Sequence, residues 1–229
     1  MPRMTVISKP KNPLKKRLKS NSENRPAERP SVDWVVFDIG NVLLYFSVEK
    51  VGRSMDRHLK GRGMDIARAL WTPPLCVQLE SGRITGKTFY RIVRKRWGMT
   101  LSYSRFCSIF SRIFTPNKPV IRLLGRLKSK TRLALLSNTN PIHWKHLRDR
   151  YPFMRRFPRR ILSFEARALK PSPAIYRTAL RTCPTTPERI LFIDDKKENI
   201  RAARRQGWKA ILYKTPRDLE KKLKSHRLI

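Results

Sequence analysis

Unbroken apolar runs recur at three places in the chain: Trp34-Val35-Val36-Phe37, Leu133-Ala134-Leu135-Leu136 and Ile190-Leu191-Phe192-Ile193. A run that is apolar at every position, rather than at alternate ones, suits a strand buried on both faces of a parallel sheet. Each run ends abruptly in polar residues. The first gives way to Asp38-Ile39-Gly40-Asn41, the second to Ser137-Asn138-Thr139 and the third to Asp194-Asp195. In an open α/β sheet, ligands bind at the C-terminal ends of the strands, so all three runs deliver their polar residues to that edge.

Between the first and second runs the period changes. Phe89, Ile92, Val93 and Trp97 recur at helical spacing, as do Phe106, Ile109, Phe110 and Ile113. Thr72-Pro73-Pro74 and Thr115-Pro116 punctuate the stretch, and Glu80-Ser81-Gly82-Arg83 marks a turn ahead of the Phe89 helix. The pattern predicts a purely helical insert over 48–117. Beyond it, strand and helix alternate, with helices over 120–127, 141–150, 173–181 and 198–206 and strands over 133–136, 160–163, 190–193 and 210–213. Strands separated by helical patterns of ~10–15 residues imply a parallel sheet. Gly207 is placed to stop the last helix of the series. The expected organisation is a tail over 1–32, an α/β core over 33–47 and 118–229, and the helical insert between the two core segments.

Charge complicates this picture. Lys and Arg number 53 against 16 acidic residues, a formal net charge of +37. Such a surface attracts polyanions and repels other basic proteins. Residues 1–30 carry nine basic and two acidic side chains, a net +7 that leaves +30 in the rest of the chain, so the basicity belongs to the folded body as well. The low apolar content of this leading segment predicts disorder. Its prolines, at Pro10, Pro13, Pro26 and Pro30, argue against the amphipathic helix of an organellar transit peptide. It also lacks the apolar stretch of a secretory signal. No run reaches the ~18 apolar residues of a membrane span. Cys76, Cys107 and Cys183 are odd in number and scattered, which reads as reduced thiols of an intracellular protein. A cytoplasmic location is expected, with an organellar matrix as the alternative. His58, His143, His146 and His226 form no zinc motif, and His143 and His146 read as solvent-facing or at the edge of the core.

The polar strand ends carry the candidate chemistry. Alone, Asp38 could be a nucleophile, a metal ligand or a turn cap. The Asp194-Asp195 pair changes the balance, because adjacent carboxylates repel unless a cation lies between them. With Asp38 they offer three oxygen donors, a set that suits Mg²⁺. The Ser137 hydroxyl and the next backbone N–H, that of Asn138, can clamp a phosphate oxygen. Lys170, ahead of Pro171 and Pro173, means little by itself among so many basic residues. It gains meaning from its place in the order Asp38, Ser137, Lys170, Asp194.

That order resembles the four motifs of the haloacid dehalogenase-like (HAD) superfamily. Phe37-Asp38-Ile39-Gly40-Asn41-Val42-Leu43-Leu44 is similar to the first motif of its small-phosphatase-like branch, and Leu135-Leu136-Ser137-Asn138-Thr139-Asn140 to the second. Leu169-Lys170-Pro171-Ser172-Pro173-Ala174-Ile175-Tyr176 resembles the third. The fourth is matched by Phe192-Ile193-Asp194-Asp195 with Glu198-Asn199-Ile200, Ala202-Ala203 and Gly207-Trp208. Leu79-Glu80-Ser81-Gly82 with Thr85 and Phe89 resembles the helical cap of that branch. The likeness runs from about Asp33 to Tyr213.

The resemblance implies a Rossmann-like core with a helical cap over its catalytic edge. It implies that Asp38 attacks phosphorus to form an aspartyl-phosphate and that Mg²⁺ is held by Asp38, the Gly40 carbonyl and Asp195, with Asp194 in direct or water-mediated support. Ser137 and the Asn138 N–H would hold phosphoryl oxygens, and Lys170 would neutralise charge on nucleophile and phosphate. Many phosphatases of this superfamily place a general-acid Asp two residues after the nucleophile; here that position is Gly40, which favours substrates with good leaving groups. Tyr45 stands where relatives are often acidic, Arg167 where a Gly is common, and Lys196 follows the acidic pair. Two function classes follow. One is a Mg²⁺-dependent hydrolase of a small phosphorylated metabolite. The other is a HAD-fold protein recruited to nucleic acid or to a ribonucleoprotein such as the ribosome, with weak or no catalysis. A dehalogenase is disfavoured, because the acidic pair argues for a metal.

Overall fold

The computed structural model describes residues 32–59, 61–127 and 131–229. The expected disordered basic tail falls on residues 1–31, outside the described residues. Its inner boundary is corrected. Val32 is fully buried in the core, and the Asp33 carboxylate is held by the Arg189 guanidinium at 2.6 Å. The folded body therefore already includes residue 32.

The chain opens with β1 (Trp34–Phe37) and β2 (Leu44–Phe46), followed by α1 (Val48–Leu59), α2 (Gly63–Leu70), α3 (Leu75–Glu80), α4 (Gly86–Trp97), α5 (Tyr103–Phe110) and β3 (Phe114–Pro116). Strand and helix then alternate through α6 (Lys118–Leu124), β4 (Arg132–Ser137), α7 (Pro141–Arg150), β5 (Arg159–Leu162), α8 (Ser163–Ala166) and α9 (Pro173–Thr182). The series closes with β6 (Ile190–Asp194), α10 (Lys197–Arg205), β7 (Lys209–Leu212) and α11 (Pro216–Ser225). Five strands form one parallel sheet in the order β5-β4-β1-β6-β7. The chain runs outward from β1 to β5, then crosses back to β6. The reversal brackets β1, which is where a ligand crevice opens in an open α/β sheet.

All residues of β1 and β6 are buried, which explains why their apolar runs do not alternate. Side chains still divide by face. Val35, Phe37, Leu135 and Ile193 enter one hydrophobic cluster with Leu123, Leu147 and Leu219, while Trp34, Val36, Leu136 and Phe192 enter another with Ile175, Tyr176 and Ala203. Several helices begin where a side chain accepts from orphan backbone donors. Asn140 accepts from the N–H groups of Ile142 and His143, and Ser172 and Thr215 serve α9 and α11, all three followed by Pro. Gly207, at φ +81°, closes the turn after α10.

Two features depart from the sequence reading. The segment 114–116, expected within a purely helical insert, is strand β3, paired antiparallel with β2 so that Leu44 faces Pro116 and Phe46 faces Phe114. The chain leaves and re-enters the core side by side there, and ladder hydrogen bonds satisfy both backbones better than an isolated helical turn. The helices α8 and α11 also lie outside the elements that the sequence pattern predicts. The insert itself has its own core around Val51, Met55, Ile66, Phe89, Phe106 and Phe110. Among the described residues no helix is long and apolar enough to cross a membrane.

Candidate functional site

The register of the sheet brings the candidate residues together. Phe37 lies opposite Ile193 across β1 and β6, and the Asp38 N–H donates to the Ile193 carbonyl at 2.9 Å, so Asp38 and Asp194 emerge side by side. Ser137 ends β4 on the other flank of β1. Lys170 comes from the loop between α8 and α9. Its Nζ lies 2.9 Å from Asp38 Oδ1 and 2.6 Å from Asp194 Oδ2, with the side chain 1% exposed. Oxygens of Asp38, Asp194 and Asp195 all lie within 4.8 Å of one another. Three carboxylates against one buried ammonium leave the cluster anionic, and these hard oxygen donors fit a divalent cation such as Mg²⁺.

The three carboxylates are not equivalent. Asp194 is wholly buried and fully engaged. Its oxygens accept from Lys170 Nζ, from the Lys196 N–H at 2.8 Å, and from Asn199 Nδ2 at 3.0 Å to each. It therefore ties Lys170 to the start of α10 and has no lone pair in reserve. Asp195 is partly exposed and, among the described residues, accepts only from Asn41 Nδ2, at 3.1 Å. Asn41 sits at φ +53°, a turn that carries the chain past Gly40. Asn138 does more than its expected backbone role. Its Oδ1 accepts from the Lys170 N–H at 2.8 Å and its Nδ2 donates to the Lys170 carbonyl at 3.0 Å, so the side chain clamps the Lys170 backbone.

Burial pushes the Asp38 carboxyl up to about 6; Lys170 opposes this, Asp194 adds to it, and the Ser137 hydroxyl helps hold the carboxylate form. Burial alone would lower Lys170, but the Asp38 and Asp194 carboxylates outweigh it and hold the ammonium charged above its ordinary range.

A cavity of roughly 250 Å³ opens over this cluster, bounded by Asp38, Asn138 and Lys170 on the core side and by Trp71 and Glu80 of the insert. In the sequence Glu80 stands only as part of a turn and of a cap motif. Its signal was there: it ends the mostly apolar segment Leu75-Cys76-Val77-Gln78-Leu79 in an insert with only four acidic residues. Burial raises its carboxyl, against the pull of Lys196 and Lys170. Of the residues that depart from the motifs, Lys196 lines this cavity. Arg167 is exposed at φ +50°, the left-handed region where Gly carries no Cβ penalty, and Tyr45 is 43% exposed.

Of the two expected placements for His143, solvent-facing or at the edge of the core, the structure excludes the first. The ring is buried, stacked on Phe110 at 4.3 Å, and lines the same cavity. Because Asn140 Oδ1 accepts from backbone N–H groups, its Nδ2 donates to His143 Nδ1, which leaves Nε2–H to donate to the Phe110 carbonyl at 3.2 Å. The ring thus joins the insert to α7 as a neutral imidazole. Burial pushes its pKa down to about 3. The unfolded chain takes up a proton as pH falls through the ordinary histidine range, whereas the folded one does not. The contribution of His143 is therefore complete above that range and lost as pH falls towards 3. The stability advantage of wild type over His143→Gln should shrink by about 2 kcal/mol between pH ~7.5 and ~5. Denaturant titrations of both proteins at the two pH values measure it.

Comparisons with known proteins bear on this geometry. The model of the haloacid dehalogenase-like hydrolase family matches residues 32–207. A HAD family enzyme from Bacteroides thetaiotaomicron, solved in complex with magnesium and inorganic phosphate, is 25% identical over 80% of this chain and 94% of its own, with a TM-score of 0.71. A predicted HAD-like family hydrolase from Porphyromonas gingivalis is 24% identical over 84% and 98% of the two chains, with a TM-score of 0.72. The L-2-haloacid dehalogenase of Xanthobacter autotrophicus, with chloropropionic acid covalently bound, is 21% identical over 86% and 84%, at a TM-score of 0.59. The last two likenesses concern the fold.

Proposed function

The chain belongs to the haloacid dehalogenase-like hydrolases, and we propose that it is a Mg²⁺-dependent phosphatase of a small phosphorylated metabolite that works through an aspartyl-phosphate on Asp38. The observation that carries this reading is the cluster of Asp38, Asp194 and Asp195 around the buried Lys170 ammonium. A dehalogenase has no need of a second open carboxylate, Asp195, set beside Asp38 for a cation. The magnesium and phosphate of the B. thetaiotaomicron enzyme support the same choice.

In this reading Asp38, the Gly40 carbonyl and Asp195 would hold Mg²⁺, with Asp194 supporting through Lys170 and the start of α10. The ion would supply positive charge that offsets the repulsion between carboxylate and phosphate. The chain does the rest. The Ser137 hydroxyl and the Asn138 N–H hold phosphoryl oxygens. Lys170, fixed by Asp194 from one side and by the Asn138 clamp from the other, neutralises charge between Asp38 and the phosphorus it attacks. An Asp38 oxygen bonds to phosphorus as the bond to the leaving oxygen breaks, and water then attacks the same phosphorus to release phosphate and restore Asp38. A screen of phosphorylated metabolites with and without Mg²⁺ tests the reading. Turnover that stops with chelator is expected, and equal turnover in chelator contradicts it.

The +37 charge favours a second reading, binding to nucleic acid or a ribonucleoprotein. Sequence-blind binding to duplex DNA should weaken steeply with salt, each neutralised phosphate adding about −0.9 to the slope of log affinity against log salt. Filter binding across a salt series measures it. Salt-labile binding beside full turnover makes the charge a surface property of an enzyme. Tight binding at physiological salt with no turnover would make binding the function. No binding at low salt defeats the reading.

A further inference from the structure

Building on the phosphatase reading, we infer that Glu80, from the helical insert, is the general acid that protonates the leaving group. Position 40, two residues past the nucleophile, is a glycine, and a Cβ there would point at the Phe46 ring, 3.6 Å away. No acid can come from that position. In-line displacement sets the leaving oxygen on the side of phosphorus away from the attacking Asp38 oxygen, which is the side walled by the insert. Glu80 is the carboxyl that the insert contributes to this cavity.

The other titratable groups of the cavity are committed elsewhere. Asp38 attacks, and Asp195 is a candidate cation ligand. Lys170 is tied between two carboxylates. His143 uses both ring nitrogens in holding the insert to α7. The Cys76 thiol is bonded to the Trp71 carbonyl and is raised by burial. Lys196 lies at the exposed rim, where its charge attracts phosphate.

Glu80 is also held in place. Ser163 Oγ donates to the Glu80 carbonyl at 2.6 Å and itself accepts from the Thr139 N–H at 2.9 Å, two residues past Ser137. Gly82, at φ +68°, brings the turn so close to the core that a Cβ would sit 2.3 Å from the Phe164 carbonyl oxygen. The α3–α4 turn is therefore braced against the phosphate-binding loop, and the Glu80 side chain is presented from a fixed backbone. Its carboxyl, raised by burial, can be protonated when substrate arrives.

The step balances. As Asp38 bonds to phosphorus and the phosphorus–oxygen bond to the leaving group breaks, the Glu80 proton passes to the departing oxygen and the product leaves as an alcohol. The resulting Glu80 carboxylate takes a proton from the water that attacks the aspartyl-phosphate, and phosphate leaves with the acid restored.

The test is the leaving-group dependence of Glu80→Gln, read on aryl phosphates from 2,4-dinitrophenyl to phenyl. Dinitrophenolate departs without a proton, whereas phenolate needs one. The variant should keep the dinitrophenyl rate within about threefold and lose roughly a hundredfold or more on phenyl phosphate. Glu80→Asp, which keeps the acid but draws it back, should fall between, and serves alone if the Gln variant does not show the wild-type melting transition. An equal loss across the series, or no loss on phenyl phosphate, overturns the assignment while leaving the phosphatase reading intact. A wild-type protein inert even to dinitrophenyl phosphate overturns both.

Discussion

Asp38→Asn should reduce turnover at least about a thousandfold, with the fold and melting transition retained. The amide has nearly the shape of the carboxylate and can still accept from the Lys170 ammonium, but it cannot bond to phosphorus. Its carboxylate is also the one burial destabilises, to a pKa of about 6, and its removal relieves repulsion with Asp194. The loss of charge therefore offsets part of the loss of the Lys170 contact. Steady-state rates on the best phosphorylated substrate, beside melting curves, measure both halves. Retained turnover in the variant would remove Asp38 from the chemistry.

Lys170→Met should damage both stability and activity. The ammonium is shared by two carboxylates at 2.9 and 2.6 Å, and all three groups are buried. Deleting it leaves Asp38 and Asp194 facing each other without a cation, a change that costs about 3–5 kcal/mol for a buried pair. The Asp38 carboxyl, already raised by burial and by Asp194, loses the Lys170 charge that opposes the rise and moves higher in the folded state. The variant should regain stability as pH falls from neutral through that raised range, because the folded form takes up a proton that the unfolded form does not. Turnover should drop by ~10²–10³ at every pH, since the charge that reconciles carboxylate and phosphate is gone. Adding Asp194→Asn should restore part of the stability and none of the turnover. Denaturant titration of the single and double variants separates the two effects.

Much of this site is legible in the sequence, because its parts sit at the ends of strands that are apolar on both faces. Such strands announce themselves, and Asp38, Ser137 and Asp194 each follow or end one directly. The division of labour between the carboxylates is not legible. Asp194 and Asp195 are adjacent in sequence, yet one is saturated by Lys170, Lys196 and Asn199 and the other is partly open. That difference arises where β6 gives way to α10 and one side chain turns inward. The second role of Asn138 is hidden for a similar reason, since its partner lies 32 residues away in an irregular loop. His143 carried no signal, because stacking on Phe110 joins two elements that periodicity treats separately. Glu80 lies in a segment whose pattern shows a helix end and a turn, and it takes the packing of Gly82 on Phe164 and the Ser163 bond to the Glu80 carbonyl to show that this turn overlies the strand ends. The neck strands β2 and β3 are three residues each, too short for any period to declare itself.

Whether Asp38 itself receives the phosphoryl group is read from a quenched single turnover. Borohydride reduces an acyl phosphate to an alcohol and leaves a free carboxylate untouched, so an aspartyl-phosphate at position 38 is trapped as homoserine. With excess enzyme over an aryl phosphate, acid quench and reduction should give the residue-38 peptide with homoserine by mass spectrometry, and Asp38→Asn should give none. Phosphate release with no reduced peptide at any quench time, or phosphate formed equally by the variant, would contradict the aspartyl-phosphate.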